Sequence, residues 1–346
     1  MVIILEDKIP EAKIQAIMNV LDARHLRPHL SVGDERTIIG VLGDTSQVDI
    51  FSLEALEGVE RVVRITDPYK LASKTFHPEP DVFDLGKGVL IGGGHFVNMA
   101  GPCAIESYEQ LDSTAEAVSR AGAKVLRGGA YKPRTSPYSF QGEGVLGLKW
   151  MREVADRYDM LVVSEVMSEV DIEGMMPYVD IFQIGTRNAQ NFRLLKAVGQ
   201  TNKAVLLKRG MAMTIDEWLS SAEYVLSEGN DRVILCERGI RTFERAYRAT
   251  LDIAAVPVVR AKTHLPIIID PSHAAGEEKY VPALALAATA VAADGLIIEV
   301  HPDPPSAVSD AAQQLTFDQY EDLMKKVHAL EDVVGLEDNS NPANWL

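Results

Sequence analysis

The chain has 346 residues, of which 47% are apolar and 24% charged, and its formal net charge is −16. That composition belongs to a globular protein with one large domain and a small one, or two ordinary domains. The acidic excess argues against nucleic acid or an anionic membrane surface as a partner, and an anionic small substrate would need a local nest of Lys and Arg. The first residues, Met1-Val2-Ile3-Ile4-Leu5-Glu6-Asp7, lack the basic region and long apolar stretch of a signal peptide. The most apolar run, 281–293, is Ala-rich and falls short of the roughly 20 residues of a membrane helix. Two cysteines, Cys103 and Cys236, exclude a disulfide framework and fit a reducing compartment. The expected location is cytoplasmic.

In chain order, 2–5 reads as a strand. A helix follows over 10–23, with Ile14, Ile17, Met18 and Leu21 at helical spacing. Strands over 27–32 and 37–42, a helix over 46–56 and a strand over 59–65 complete a β-α-β-β-α-β order, that of a ferredoxin-like sandwich. These elements define a small α+β domain over 1–66. Residues 67–88, with Pro68, Pro78 and Pro80, show no sustained periodicity and read as a linker.

From 89 to 346 one rhythm holds. After a lead-in hairpin at Gly92-Gly93-Gly94, apolar runs at 96–99, 123–126, 160–164, 181–184, 204–207, 232–235, 267–269 and 296–298 alternate with helical segments. The segments 108–121, 145–158, 215–228 and 317–330 are amphipathic. Eight buried strands with about eight helices predict an α/β fold, a (β/α)8 TIM barrel. A doubly wound open sheet is the competing architecture, but no Gly-x-Gly-x-x-Gly follows a strand.

Charged residues stand at the end of nearly every apolar run, where a barrel gathers them at one mouth. Taken singly, each has an ordinary explanation: Lys208 or Arg238 in a rim ion pair, Glu165 as a cap acceptor, His273 as a satisfied loop histidine, Cys103 as an inert thiol. Converging, they form two groups. Arg127, Lys132, Arg134, Arg187, Lys208 and Arg238 are cations that repel one another unless anions fill the mouth, implying a substrate with several negative charges. Cys103, His273, Glu299 and Asp310 offer a thiol, an imidazole and two carboxylates, a workable divalent-metal set. Cys103 and Cys236 as a redox pair is a further reading, although strands one and six are not barrel neighbours. In the loop after the second run, Pro133 and Pro137 hold Lys132, Arg134, Thr135 and Ser136 in an extended, stiff segment suited to a phosphate or carboxylate.

Gly101-Pro102-Cys103, the run from Arg127-Gly128-Gly129 through Lys132-Pro133-Arg134-Thr135-Ser136 to Gln141-Gly142, and Asp270-Pro271-Ser272-His273 closely resemble the 3-deoxy-D-arabino-heptulosonate 7-phosphate (DAHP) synthase family. The resemblance covers about residues 89–330, and the N-terminal unit resembles the small regulatory domain of some members. It implies the first step of the shikimate pathway to aromatic amino acids: condensation of phosphoenolpyruvate with erythrose 4-phosphate and water. It also implies one divalent ion (Mn, Fe, Co or Zn) on Cys103, His273, Glu299 and Asp310, and no organic cofactor. Arg187, Lys208 and Arg238 would hold the phosphate of phosphoenolpyruvate, with Arg127 and Lys132 toward its carboxylate. Arg134, Thr135 and Ser136 would hold the aldose phosphate. Lys132, Glu165, Lys208 and His273 are the expected catalytic residues, with Glu165 orienting or deprotonating the water. Feedback by tyrosine or phenylalanine on residues 1–66 and a homotetramer are further expectations. The alternative is 3-deoxy-D-manno-octulosonate 8-phosphate synthase, which uses arabinose 5-phosphate. Pro133-Arg134-Thr135 and the extra N-terminal unit disfavour it. A non-catalytic metabolite sensor is the reading from another class, disfavoured by intact metal and phosphate residues.

Overall fold

The computed structural model of the protein describes residues 1–7, 9–32, 37–43, 45, 48–63, 68–132, 138 and 140–338. The chain divides into two compact units, Met1–Pro80 with Ala261–His264, and Asp81–Arg260 with Leu265 onward.

In the first unit, β1 (Val2–Leu5), α1 (Glu11–Ala23), β2 (Arg27–Val32), β3 (Thr37–Leu42), α2 (Ile50–Glu54) and β4 (Val59–Val63) follow the expected order. The sheet runs β2-β3-β1-β4 with every neighbour antiparallel. One face carries Ile3, Leu5, Ile39 and Val41 against Ile17 and Leu21 of α1 and Leu53 of α2, the spacing of three and four placing the apolar stripe of α1 on the sheet. The other face is covered from within the same unit, where Val2 and Ile38 pack on Phe76. A Cβ on Gly40 would lie 1.4 Å from the Phe76 ring, so that contact requires glycine. The helix α2 is shorter than the 46–56 expected: Asp49 accepts from the Phe51 N–H and starts it, while 46 and 47 lie outside the described residues. Residues 64–66 of the last expected strand also lie outside them.

The second unit is a closed barrel. Its strands are β7 (His95–Gly101), β8 (Val125–Arg127), β9 (Leu161–Glu165), β10 (Ile181–Ile184), β11 (Ala204–Lys208), β12 (Val233–Glu237), β13 (Ile267–Ile269) and β14 (Gly295–Glu299). Each pairs in parallel with the next, and β14 pairs with β7, which removes the open-sheet alternative. The helices α3 (Tyr108–Arg120), α4 (Gly144–Arg157), α5 (Ile172–Met175), α6 (Phe192–Gly199), α7 (Ile215–Leu226), α8 (Ala255–Lys262), α9 (Pro271–Ala275), α10 (Val281–Ala290) and α11 (Phe317–Val334) fill the connections, with α9 as a short extra turn after β13. Local chemistry starts them. Ser107 caps α3, and reciprocal capping boxes, Thr214 with Glu217 and Thr316 with Gln319, open α7 and α11.

Two differences from the sequence reading have clear causes. A hairpin of β5 (Phe83–Asp84) and β6 (Leu90–Ile91) lies partly inside the stretch read as a linker, and Leu85, Val89 and Ile91 join the barrel core as its floor. Two-residue strands are too short to show a periodicity. The Gly92–His95 bridge then makes the expected glycine turn leading into β7. The strands β9, β11, β12 and β14 also extend one or two residues beyond their apolar runs to take in Glu165, Lys208, Glu237 and Glu299, because backbone pairing continues where apolar character stops.

Candidate active site

The pleat explains which charges face inward. The barrel core contains Val97 and Met99, Leu161 and Val163, Ala204 and Leu206, Ile234 and Cys236, Ile268, and Ile297. Continuing that alternation by two residues reaches Gly101, Glu165, Lys208, Arg238, Asp270 and Glu299 at the carboxyl ends. The ion pairs agree. Lys208 Nζ lies 2.5 Å from Asp270 Oδ2, joining β11 to the end of β13 past β12, and Arg127 Nη1 lies 2.8 Å from Glu299 Oε1, joining β8 to β14 past β7. Side chains on alternate strands meet this way only across a barrel interior.

On the β7–β14 side, one ligand atom each from Cys103, Glu299 and Asp310 lies within 4.8 Å of the others. Cys103 Sγ is 3.6 Å from Asp310 Oδ2 and 3.1 Å from both Ser309 Oγ and Lys132 Nζ. His273 Nε2 approaches Glu299 Oε1 at 3.6 Å, and its Nδ1 is 2.7 Å from Asp270 Oδ2. Asp270 Oδ1 also accepts the His273 backbone N–H at 2.9 Å, so this carboxylate fixes the turn that carries His273 and sets a negative charge beside Nδ1, which makes no hydrogen bond of good geometry, while Nε2 faces Glu299.

The electrostatics suit the same donor set. Burial pushes the Cys103 thiol up to about 11, helped by Glu299 and opposed by Lys132 and Arg127, a bias that a divalent cation reverses. Burial also acts to raise the Glu299 pKa, but the charges of His273, Arg127 and Lys132 outweigh it and hold the carboxyl at about 2. Burial lowers the His273 pKa despite Asp270, which favours the neutral imidazole that a metal needs. Asp310 sits at φ 45°, a left-handed conformation that Asp tolerates better than most residues. Cys103, Glu299 and Asp310 thus converge closely enough to share one divalent ion, and His273 approaches the group through its 3.6 Å contact with Glu299.

On the β10–β12 side, Arg238 is only 5% exposed. Its guanidinium donates to Met211 Sδ, the Gly239 carbonyl and the His273 carbonyl, and no carboxylate lies within 4.0 Å of it among the described residues. Burial pushes its pKa down, the mark of a cation short of compensating charge. Arg187 is exposed at the end of β10, lining a cavity of about 210 Å³ with Thr186, Gly210 and Met211. The neighbouring Arg209 is not part of this anion-facing group. It donates to Glu237 at 3.0 Å and Asp252 at 2.8 Å, and Glu237 in turn accepts the Gly239 N–H at 2.7 Å, bracing the backbone that carries Arg238.

Glu165 stands between the two sides. Burial raises its pKa against the opposing charges of Lys208, Lys132, Arg187 and Arg127. A Cβ on Gly185 would lie 1.9 Å from Glu165 Oε1, so glycine at the end of β10 makes room for this carboxylate.

Of the six cations expected at the mouth, at least three have partners within the protein. Arg127 is engaged by Glu299 and by the Pro102 carbonyl at 2.8 Å, Lys208 by Asp270, and Lys132 by the Cys103 carbonyl at 3.0 Å. The protein's own acids neutralise part of the mouth. Arg134, Thr135 and Ser136 lie outside the described residues. Cys103 and Cys236 are both free and buried. The motif containing Asp270 gave it no role, and Gln313, Gln314 and Arg248 carried no signal at all, being ordinary polar residues whose partners lie far away in sequence.

A closed parallel barrel with this mouth defines the class: a (β/α)8 barrel whose strand ends gather buried cations, acids and a thiol at one end. The profile of the DAHP synthetase I family matches residues 71–334, and that of the DAHP synthase ferredoxin-like domain matches residues 1–67. The chain is 51% identical over 339 residues to the Phospho-2-dehydro-3-deoxyheptonate aldolase of Thermotoga maritima, covering 98% of this chain and 100% of that protein. A 2-dehydro-3-deoxyphosphooctonate aldolase of Desulfosudis oleivorans is 30% identical over 261 residues, 70% of this chain and 93% of that protein. The crystal structure of the Thermotoga maritima DAHP synthase aligns with TM-score 0.77 at 50% identity, covering 97% of this chain and 98% of that one. A truncated form of the Thermotoga maritima enzyme aligns with TM-score 0.73 at 51% identity, covering 77% of this chain and 98% of that one. The chain belongs to the DAHP synthase family, in the form that carries an N-terminal ferredoxin-like domain. Among the described residues, no helix is long and apolar enough to cross a membrane.

Proposed function

We propose that this protein condenses phosphoenolpyruvate with D-erythrose 4-phosphate and water to give DAHP and inorganic phosphate, using one divalent ion of the Mn, Fe, Co or Zn group. The observation that carries the reading is Arg238, a buried guanidinium without a carboxylate, in the same mouth as the thiol, imidazole and carboxylates of Cys103, His273, Glu299 and Asp310.

Arg238, Lys208 and Arg187 bind the phosphate of phosphoenolpyruvate, and Lys132 with Arg127 faces its carboxylate. Arg134, Thr135 and Ser136 hold the aldose phosphate. Fixing two anions face to face supplies on the order of 7–11 kcal/mol of the barrier reduction through positioning alone. Cys103, His273, Glu299 and Asp310 would hold the metal, which when bound would supply a Lewis acid for the aldehyde oxygen that the weakly nucleophilic enol carbon needs. Glu165 orients water at the resulting electron-poor carbon and takes its proton, a role that its raised pKa suits. Asp270 keeps the His273 ring oriented, and loss of phosphate completes the reaction.

Residues 1–66 act as a feedback domain for tyrosine or phenylalanine, with 68–80 packed into the same compact unit and 81–88 leading into the barrel floor. The assembly is a homotetramer and the location cytoplasmic, in keeping with two free thiols and the acidic charge. The deciding experiment measures phosphate release from phosphoenolpyruvate with erythrose 4-phosphate or arabinose 5-phosphate, with and without chelator. Turnover is expected with erythrose 4-phosphate; equal or faster turnover with arabinose 5-phosphate would move the chain to the sister reaction.

A further inference from the structure

Two adjacent buried glutamines meet the proposed metal ligands from behind. Gln313 and Gln314, 2% and 1% exposed, lie in the loop after β14 that also carries Asp310. Gln313 Nε2 donates to Glu299 Oε2 at 2.6 Å, and its Oε1 accepts from Arg248 Nη1 at 2.5 Å. Arg248 also lies 3.5 Å from Asp310 Oδ1. Gln314 Oε1 accepts the Cys103 N–H at 3.0 Å, while its Nε2 donates to the Ser309 carbonyl at 2.9 Å.

Chemistry fixes both amides. A guanidinium only donates and a carboxylate only accepts, so Gln313 has one satisfactory orientation. A backbone N–H on one side and a carbonyl on the other leave Gln314 one as well. With Arg127 on Oε1 and Gln313 on Oε2, both oxygens of Glu299 are held, each with a lone pair left for a cation. A second cation in place of Gln313 would compete with a metal for Glu299, and an acid would repel it; an amide orients without adding charge. Gln314 joins the Cys103 loop to the peptide just before Asp310, whose left-handed backbone needs support from its surroundings.

We propose that Gln313 and Gln314 are positioning residues of the metal centre, holding Glu299 and the Cys103 and Asp310 loops in the arrangement a divalent cation binds. This rests on the metal reading above. Support behind metal ligands contributes about 10–100-fold in affinity, and each glutamine is expected to contribute in that range.

The test uses the full-length protein stripped of metal and titrated with Co²⁺, reading the thiolate-to-cobalt charge-transfer absorption contributed by Cys103. Gln313→Met and Gln314→Met keep length and flexibility but remove the amide. Gln313→Asn, which keeps the amide and shortens its reach, replaces Gln313→Met if that variant fails to fold. The expected result is an unchanged absorption at saturation with Co²⁺ affinity weakened about 10–100-fold. With metal saturating, the KM for phosphoenolpyruvate stays within about twofold, since neither amide contacts the anion-facing arginines. If the wild-type protein shows no thiolate-to-cobalt absorption, the metal reading itself falls. If the wild-type binds Co²⁺ and the variants weaken binding by less than about fivefold, the positioning role alone is overturned.

Discussion

The two sides of the barrel mouth solve opposite electrostatic problems. On the β7–β14 side the acids and the thiol are countered from within, Glu299 by Arg127, Asp270 by Lys208 and His273, and Cys103 by Lys132. On the β10–β12 side Arg238 is buried and donates to two carbonyls and a thioether, with no carboxylate within 4.0 Å among the described residues. A cluster of acids closed off from water must be partly neutralised before a metal arrives, or burial would protonate it. A guanidinium stays charged under the same burial, so it can be left uncompensated and aimed at an incoming anion. One side is a network of acids already matched to cations; the other holds a buried guanidinium without a carboxylate within 4.0 Å among the described residues.

Removing the metal should have the largest effect. Chelation is expected to lower turnover by more than about 10³-fold, with manganese restoring the wild-type but not Cys103→Ala. Full activity in a metal-free preparation would erase the distinction between the two sides. Next in size, Arg238→Ala should lower kcat/KM for phosphoenolpyruvate by about 10²–10³-fold with a much smaller change in Co²⁺ affinity, felt only through the His273 carbonyl it holds. Arg127→Met should weaken Co²⁺ binding as well, because Glu299 loses its counter-ion. Metal titrations on both variants separate the two outcomes.

The finished network also has a pH signature. The folded protein holds Glu299 at about 2 against an ordinary value of 4.5. Its contribution is thus present above pH 4.5 and lost as pH falls toward 2. Denaturant titrations of the metal-free protein across that window should show roughly 3 kcal/mol lost by the wild-type relative to Glu299→Gln. An equal loss in both would mean that His273, Arg127 and Lys132 together do not hold the Glu299 carboxyl down. Arg134→Ala is expected to raise the KM for erythrose 4-phosphate about 10–100-fold, through loss of a charge-assisted contact. Initial rates with the aldose varied check this. The smallest effect is expected from deleting residues 1–80: kcat should stay within about twofold while inhibition by tyrosine or phenylalanine disappears. A truncated enzyme that keeps the same inhibition would show that the sensor lies elsewhere.

Much of the molecule was legible because the relevant signals are local. The alternating beat of buried strands and amphipathic helices announced the barrel, and the charged residue closing each apolar run marked the mouth. The spacing of Ile14, Ile17, Met18 and Leu21 placed α1 on its sheet. What stayed hidden depends on contacts between distant segments. Gln314 meets Cys103 across 211 positions, and nothing in Gln313-Gln314 distinguishes them from solvent-facing amides. Leu85 becomes barrel floor only because β5 and β6 pair around a short turn. Arg127 could be read as a substrate cation but not as the partner of Glu299, since that requires knowing which strands face each other across the interior.

The missing side chain at Gly185 has a consequence for how this site can change. Even a methyl group there would occupy the space of Glu165 Oε1. The two positions therefore form a lock with a permitted order of substitution. Glu165 can be shortened first, leaving a vacancy beside β10, and only afterwards can position 185 acquire a side chain. The reverse order makes the Glu165 carboxylate, the end of a flexible side chain, swing away from its present position.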